Sequence, residues 1–320
     1  ADAPYQNTAD MRTRGWEVSL NWRDQIGKVG YRVGFNLSDS QSKIVKYNSN
    51  ESGILTSTLS NGSTFWNYYE GKDLGEIWGY EYDGFYTVDD FTDTSSWKLK
   101  EGVPSIDGYN PRPGDVKFKN LMDDDRGTNM ISGGDNTVSN PGDRKVIGNN
   151  TPRYLYGITL GANFKGFDLN VFMQGTGKRD AWIANNLKFP LYSDFKFIAL
   201  YKDLGNYWKP VDAANGDYTA ANPNAEFPRI YGNYGNQGSN YRQSDKYLSD
   251  ASYFRIKNVT LSYTFPKAWI TKASLSQLKA FVSIENLATF SSLPKGIDPE
   301  TLSWNYPAFR TVSFGLNVTL

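Results

Sequence analysis

The sequence predicts an all-β chain of about seven antiparallel strands, of the kind that wall a transmembrane barrel, joined by long outer loops. Three observations carry that reading. The last twelve residues alternate without a break: Val312, Phe314, Leu316, Val318 and Leu320 fall on one face, and Thr311, Ser313, Gly315, Asn317 and Thr319 on the other. Successive strand residues point to opposite faces, so one side of this strand is apolar and the other small and polar. The same alternation recurs upstream, and the links between the runs are alternately short and long. Outer-membrane barrels place short turns on the periplasmic side and long loops outside.

The first run is 15–23, with Trp16, Val18, Leu20 and Trp22 together, and the link 24–30 leads to 31–40, apolar at Tyr31, Val33, Phe35 and Leu37. Two alternating runs so joined read as a hairpin. Residues 41–153 form a long polar segment rich in rings, with weak alternation at 76–87 and 115–119 that marks local strands, a small sheet of its own. A connection of this length is normally functional or disordered, and the density of aromatics argues against disorder. The pattern resumes at 154–164, turns tightly at Lys165-Gly166 and returns over 167–174. A second long segment, 175–252, precedes runs at 253–265, 278–286 and 308–320.

With Leu320 ending in the periplasm, every long segment (41–153, 175–252 and 287–307) falls on the outer side. Seven strands cannot close a bacterial single-chain barrel, which has an even number, and open edges leave backbone groups unsatisfied in lipid. The expectation is the C-terminal part of a larger barrel whose remaining strands lie upstream.

Composition removes other classes. The 320 residues include no His and no Cys, which excludes thiol nucleophiles, Ser-His-Asp triads, the usual zinc sites and disulfides. Lys+Arg 34 balance Asp+Glu 34, so the basic footprint of a nucleic-acid binder is missing. No run approaches the roughly 20 apolar residues of a membrane helix. A mean hydropathy of −0.58 is compatible with a barrel, because only alternate strand residues meet lipid. No acid pair has the defined spacing of a glycosidase, and the chain reads as a non-enzyme. Two other readings stay open: a soluble carbohydrate-binding β-sandwich protein and a passive porin.

The loop rings Trp66, Tyr68, Tyr69, Trp182, Tyr207, Trp208, Tyr231, Tyr234 and Tyr241 are candidate substrate or partner contacts. Flat apolar faces with polar handles suit sugar stacking and interface anchoring, and they suit packing of the loops equally well. Asp123, Asp124 and Asp125, with Asp143 beyond them, could ligate Ca²⁺, which takes six to eight oxygens. A solvated acidic loop is the favoured reading, and no other cofactor is expected. Trp16, Trp22, Tyr31, Tyr154, Tyr156, Tyr263 and Phe265 lie near strand ends, as an interfacial girdle requires.

Several stretches resemble one family, the SusC/RagA-type TonB-linked outer-membrane transporters. They include Ser244-Asp-Lys-Tyr-Leu-Ser-Asp-Ala-Ser-Tyr-Phe-Arg-Ile-Lys-Asn-Val, Gly296-Ile-Asp-Pro-Glu300, Glu285-Asn-Leu287, Arg310-Thr-Val-Ser-Phe-Gly315 and the aromatic-Asp-Gly-aromatic run Tyr82-Asp-Gly-Phe85. The resemblance spans nearly the whole chain in the family's order. It implies a 22-stranded barrel in the size class with a plugged lumen, with plug domain and early strands absent from this chain. It also implies a SusD-like surface lipoprotein partner, drive from the TonB complex, and oligosaccharide or peptide cargo. Where the family often carries an EF-hand-like acidic motif, this sequence has Asn120 and Met122 instead. The spacing Ser313-x-Gly315-x-x-Val318-x-Leu320 resembles the C-terminal signal read by the barrel-assembly machinery.

Overall fold

The computed structural model describes residues 7–60, 63–106, 109–122, 130–183, 189, 205–230, 237–271, 274–302 and 308–320. Seven strands form one antiparallel sheet: β1 (Ala9–Ile26), β2 (Val29–Tyr47), β3 (Arg153–Phe164), β4 (Phe167–Lys178), β5 (Tyr253–Thr264), β6 (Gln277–Ser291) and β7 (Thr311–Thr319). Their order in the sheet is their order in the chain, as a meander requires. The chain divides into two compact units: the sheet unit (13–41, 151–180 and 250–320) and a loop unit (1–12, 42–150 and 181–249).

In the sheet unit the pattern read from sequence becomes rows across neighbouring strands. Val33, Leu160, Val171, Val259, Ile284 and Val312 are paired one to the next from β2 to β7. The row beside it on the same face is Tyr31, Ala162, Leu169, Leu261, Val282 and Phe314. The opposite face carries Arg32, Gly161, Asn170, Thr260, Ser283 and Ser313 in one row. Because the side-chain period is two, one register error anywhere would have mixed these faces. Phe172 and Phe281 break the polar set, each sitting in a row of that face.

The turn between β3 and β4 is built as its residues demand. Lys165 and Gly166 have φ of 46° and 89°, the two left-handed positions of a type I′ hairpin, whose twist matches that of the flanking strands.

Most strands outrun the alternating segments. The first runs from Ala9 rather than 15, and the second continues to Tyr47 rather than ending at 40. The extension of β2 finds a new backbone partner: Ile44 N–H donates to Lys72 O at 2.9 Å, and Ile44 O accepts from Gly71 N–H at 2.8 Å. Nothing alternates there, because the ladder is completed by a connecting segment. At the other end, Asn286 takes φ of 51°, and the β5–β6 register shifts beside it before pairing continues to Ser291. Asn tolerates left-handed backbone, so the residue expected to end this strand is a bulge inside it.

The long segments 41–153 and 175–252 contribute to a single packed unit with small sheets. The expected local strands are present, Tyr82–Phe85 pairing with Val116–Phe118 and Glu76–Tyr80 with Arg144–Asn149. Their core includes Phe85, Val116, Phe118, Phe189, Trp208, Phe227 and Tyr247. A second cluster joins Leu55, Tyr69 and Trp78.

Candidate functional site

The sheet's apolar face is its most distinctive chemical surface. Phe314 and Leu316 are 81% and 68% exposed, and Val312, Val318 and Leu320 are exposed beside them. A soluble strand buries such a face; here the rows remain open across six strands. Rings mark both ends of the band. At one end Phe167 meets Tyr263 at 4.6 Å between centroids, Tyr263 meets Phe265 at 5.0 Å, and Trp22 Nε1 donates to Tyr31 Oη at 3.4 Å. At the other end Phe254 stacks on Tyr156 at 6.5 Å and on Phe290 at 6.0 Å. From Phe254 to Tyr263 the strand rises roughly 30 Å, or about 23 Å along the normal at a tilt of about 40°, close to the height of a barrel's apolar band. Of the expected girdle, Trp22, Tyr31, Tyr263 and Phe265 stand at the first end and Tyr154 and Tyr156 begin β3 at the second; Trp16 is exposed on β1.

Of the four residues whose spacing resembles a terminal signal, Ser313, Gly315 and Val318 lie on β7 and Leu320 follows its last residue. Val318 and Leu320 belong to the apolar face, whereas Ser313 and Gly315 belong to the polar one. Gly315 is paired with Phe281, and a Cβ there would collide with the ring. The polar face therefore needs glycine here to admit an aromatic ring.

The loop rings separate into two kinds. Tyr69, Trp208 and Tyr241 are buried in the loop unit's clusters. Tyr69 Oη donates to Glu76, and Trp78 Nε1 donates to the same carboxylate at 2.9 Å; burial raises the Glu76 carboxyl above its ordinary range. Trp66, Trp182 and Tyr207 are half-buried against those clusters, and Tyr68 is 53% exposed. Tyr68 meets Tyr47 edge-on at 6.3 Å, and Tyr47 lines a cleft of about 480 Å³ with Lys46, Asn50, Glu51, Tyr69 and Glu70. Tyr231 and Tyr234 lie outside the described residues, as do Asp123, Asp124 and Asp125.

Asp143, the fourth candidate metal ligand, is fully buried. Its carboxylate accepts backbone N–H groups from Leu121 at 2.6 Å, Met122 at 3.0 Å and Ser132 at 2.7 Å. Three amides converging on one carboxylate hold the ends of segment 121–132 together, whether or not a cation binds nearby. Among the described residues no three acidic side chains converge.

One constellation was missed in the sequence although both of its halves were noted. Lys246 Nζ lies 4.1 Å from the Tyr82 ring centroid and 4.5 Å from that of Phe85. The neighbouring Asp245 accepts the Tyr82 N–H at 2.8 Å, from 163 positions away in the chain. Burial pulls the Lys246 amine down to about 8. Two distant motifs thus clasp each other by cation–π attraction, and no local pattern announces such a pairing.

Comparison with known proteins places this geometry. No protein-family model matches the chain. Over 98% of its length it is 28% identical to TonB-dependent receptor P3 of Formosa agariphila and 22% identical to TonB-dependent receptor P26 of the same organism. The chain spans 29% and 30% of those relatives' lengths. A chain of the RagAB peptide importer in its open-open state superposes with a TM-score of 0.64 at 19% identity, over 99% of this chain and 29% of that one. The closed-closed state gives 0.60 at 19% identity, over 98% and 30%. Its sequence relatives are TonB-dependent receptors, and its fold is that of a barrel portion of the RagAB importer.

Proposed function

We propose that this chain is the C-terminal barrel portion of a SusC/RagA-type transporter that imports oligosaccharides or peptides across the bacterial outer membrane, driven by TonB. The observation that carries the reading is the uncovered apolar face, six strands wide and bounded by aromatic belts. Lipid is the solvent that makes such a face favourable, while the opposite face, with Arg32, Asn170 and Ser313, suits water. The C-terminus then lies in the periplasm, and the loop unit is the extracellular part. A SusD-like surface lipoprotein is its proposed partner, and accessible rings such as Trp66, Tyr68, Trp182 and Tyr207 are available to cargo or to that partner. The protein's own work is binding and passage, without covalent chemistry.

Uptake of labelled oligosaccharides and peptides by cells expressing the complete transporter, with and without TonB, tests this. The expected result is accumulation that disappears when TonB is deleted. TonB-independent uptake would replace the reading with a porin. A complete protein that stays monodisperse without detergent would replace it with a soluble sandwich.

A further inference from the structure

On the polar face of the sheet one carboxylate is held by three side chains from two strands. Gln174 on β4, Arg255 on β5 and Thr289 on β6 are paired in a single row. Arg255 is 2% exposed, and a guanidinium so buried must be fully partnered. Its Nε donates to Thr289 Oγ1 at 2.9 Å, one terminal nitrogen to Asp298 Oδ2 at 2.8 Å and the other to Glu300 Oε2 at 2.6 Å. Lys257 Nζ donates to the same Glu300 oxygen at 3.1 Å, and Gln174 Nε2 to the other at 3.0 Å.

The two acids play unequal parts. The Asp298 side chain is 9% exposed and also accepts the Glu300 N–H at 2.8 Å, which makes it a fixed counter-ion for Arg255. The Glu300 side chain is 37% exposed. The side chains that grip its carboxylate belong to the strands, whereas Glu300 arrives on a connecting loop. Arg179 adds a third cation at this spot, donating to the Pro299 and Glu300 carbonyls. Arg255 and Lys257 converge on the Glu300 carboxylate, and removing it would leave an anion site with an amide donor already aimed into it.

We propose that Arg255, Lys257 and Gln174 form a carboxylate-binding subsite for cargo, occupied here by Glu300 as an internal stand-in. Carboxylate–guanidinium and carboxylate–ammonium hydrogen bonds are the strong ones, so the subsite selects for that group. An acidic sugar and a peptide C-terminus both supply such a carboxylate. The role as a cargo site rests on the import reading; the binding chemistry does not.

The test uses the full-length transporter purified in detergent and calorimetric titration with two matched pairs: a galacturonic acid trisaccharide against its galactose counterpart, and a tripeptide against its C-terminal amide. An internal competitor acts at millimolar effective concentration, so Glu300→Ala should strengthen binding of a carboxylated probe by about tenfold or more. The neutral partner should be unaffected, and Glu300→Ala combined with Lys257→Met should lose the gain. The arm that gains identifies the source of the carboxylate. Glu300→Gln, which keeps the shape and the Gln174 contact, should gain less in the same direction and serves if the alanine variant is poorly folded. Unchanged or weaker carboxylate binding in both variants would overturn the proposal and leave Glu300 a loop strap. A gain in binding by a protein that does not import would count against the import reading alone.

Discussion

The sheet unit and the loop unit solve the same problem of apolar side chains in opposite ways. In the sheet, Phe314, Leu316 and their row-mates stay uncovered, and order comes from the backbone ladder that joins seven strands. In the loop unit, short two-stranded pieces are held by a side-chain core in which Phe118, Phe189, Phe227 and Leu55 are almost wholly buried. A sheet bathed in lipid needs no apolar partner on that face, whereas a long connection in water must bury its own rings. The two units should therefore respond to substitution by different rules.

The largest effect is expected in the loop core. Phe118→Ala should cost about 3–5 kcal/mol, because the cavity adds to the lost transfer energy of the ring. Limited proteolysis of the folded full-length protein should show cleavage confined to the loop unit, with heat-modifiable migration of the barrel retained. Next comes the lipid face: Phe314→Arg should cost roughly 2–4 kcal/mol near the midplane and lower the yield of inserted protein. Asn317→Arg, on the polar face of the same strand, should be far milder. Equal losses from both would contradict the face assignment.

Smaller again is Asp143→Asn, which replaces an acceptor of three backbone amides with a group that brings its own N–H donors. A loss of about 1–3 kcal/mol is expected for the unsatisfied donors, read as a lower melting temperature of the loop unit. The smallest effect concerns Glu81, whose carboxyl is held at about 2 by Lys119 and Lys145. A depressed carboxylate contributes stability that is present above its ordinary value of 4.5 and lost as pH falls through that value towards 2. Melting curves of wild type and Glu81→Gln should differ near neutral pH and converge at the acid end of that window. A difference that grows on acidification would contradict the ion-pair assignment.

The sheet was legible because each of its signals is local. The alternation at Tyr31, Val33 and Phe35 repeats wherever a strand has lipid on one side, and Lys165-Gly166 specifies a turn by its own backbone preferences. Strand ends were less legible, since β2 beyond Ser40 is held by Gly71 and Lys72 rather than by any pattern of its own. The rings were not legible individually. Tyr68 and Tyr69 are adjacent and chemically identical, yet one is exposed and the other buried with its hydroxyl on Glu76.

What the sequence determined by itself is the division into faces, the order of the strands and the place of the tight β3–β4 turn, because these depend on side-chain period and on the backbone preferences of single residues. The tertiary structure decided which aromatics form the loop core, that Asp143 gathers three amides, and that Arg255 and Lys257 close on Glu300, 45 and 43 positions away. Such contacts join residues with no local relation, and their energies depend on burial that only the folded chain creates.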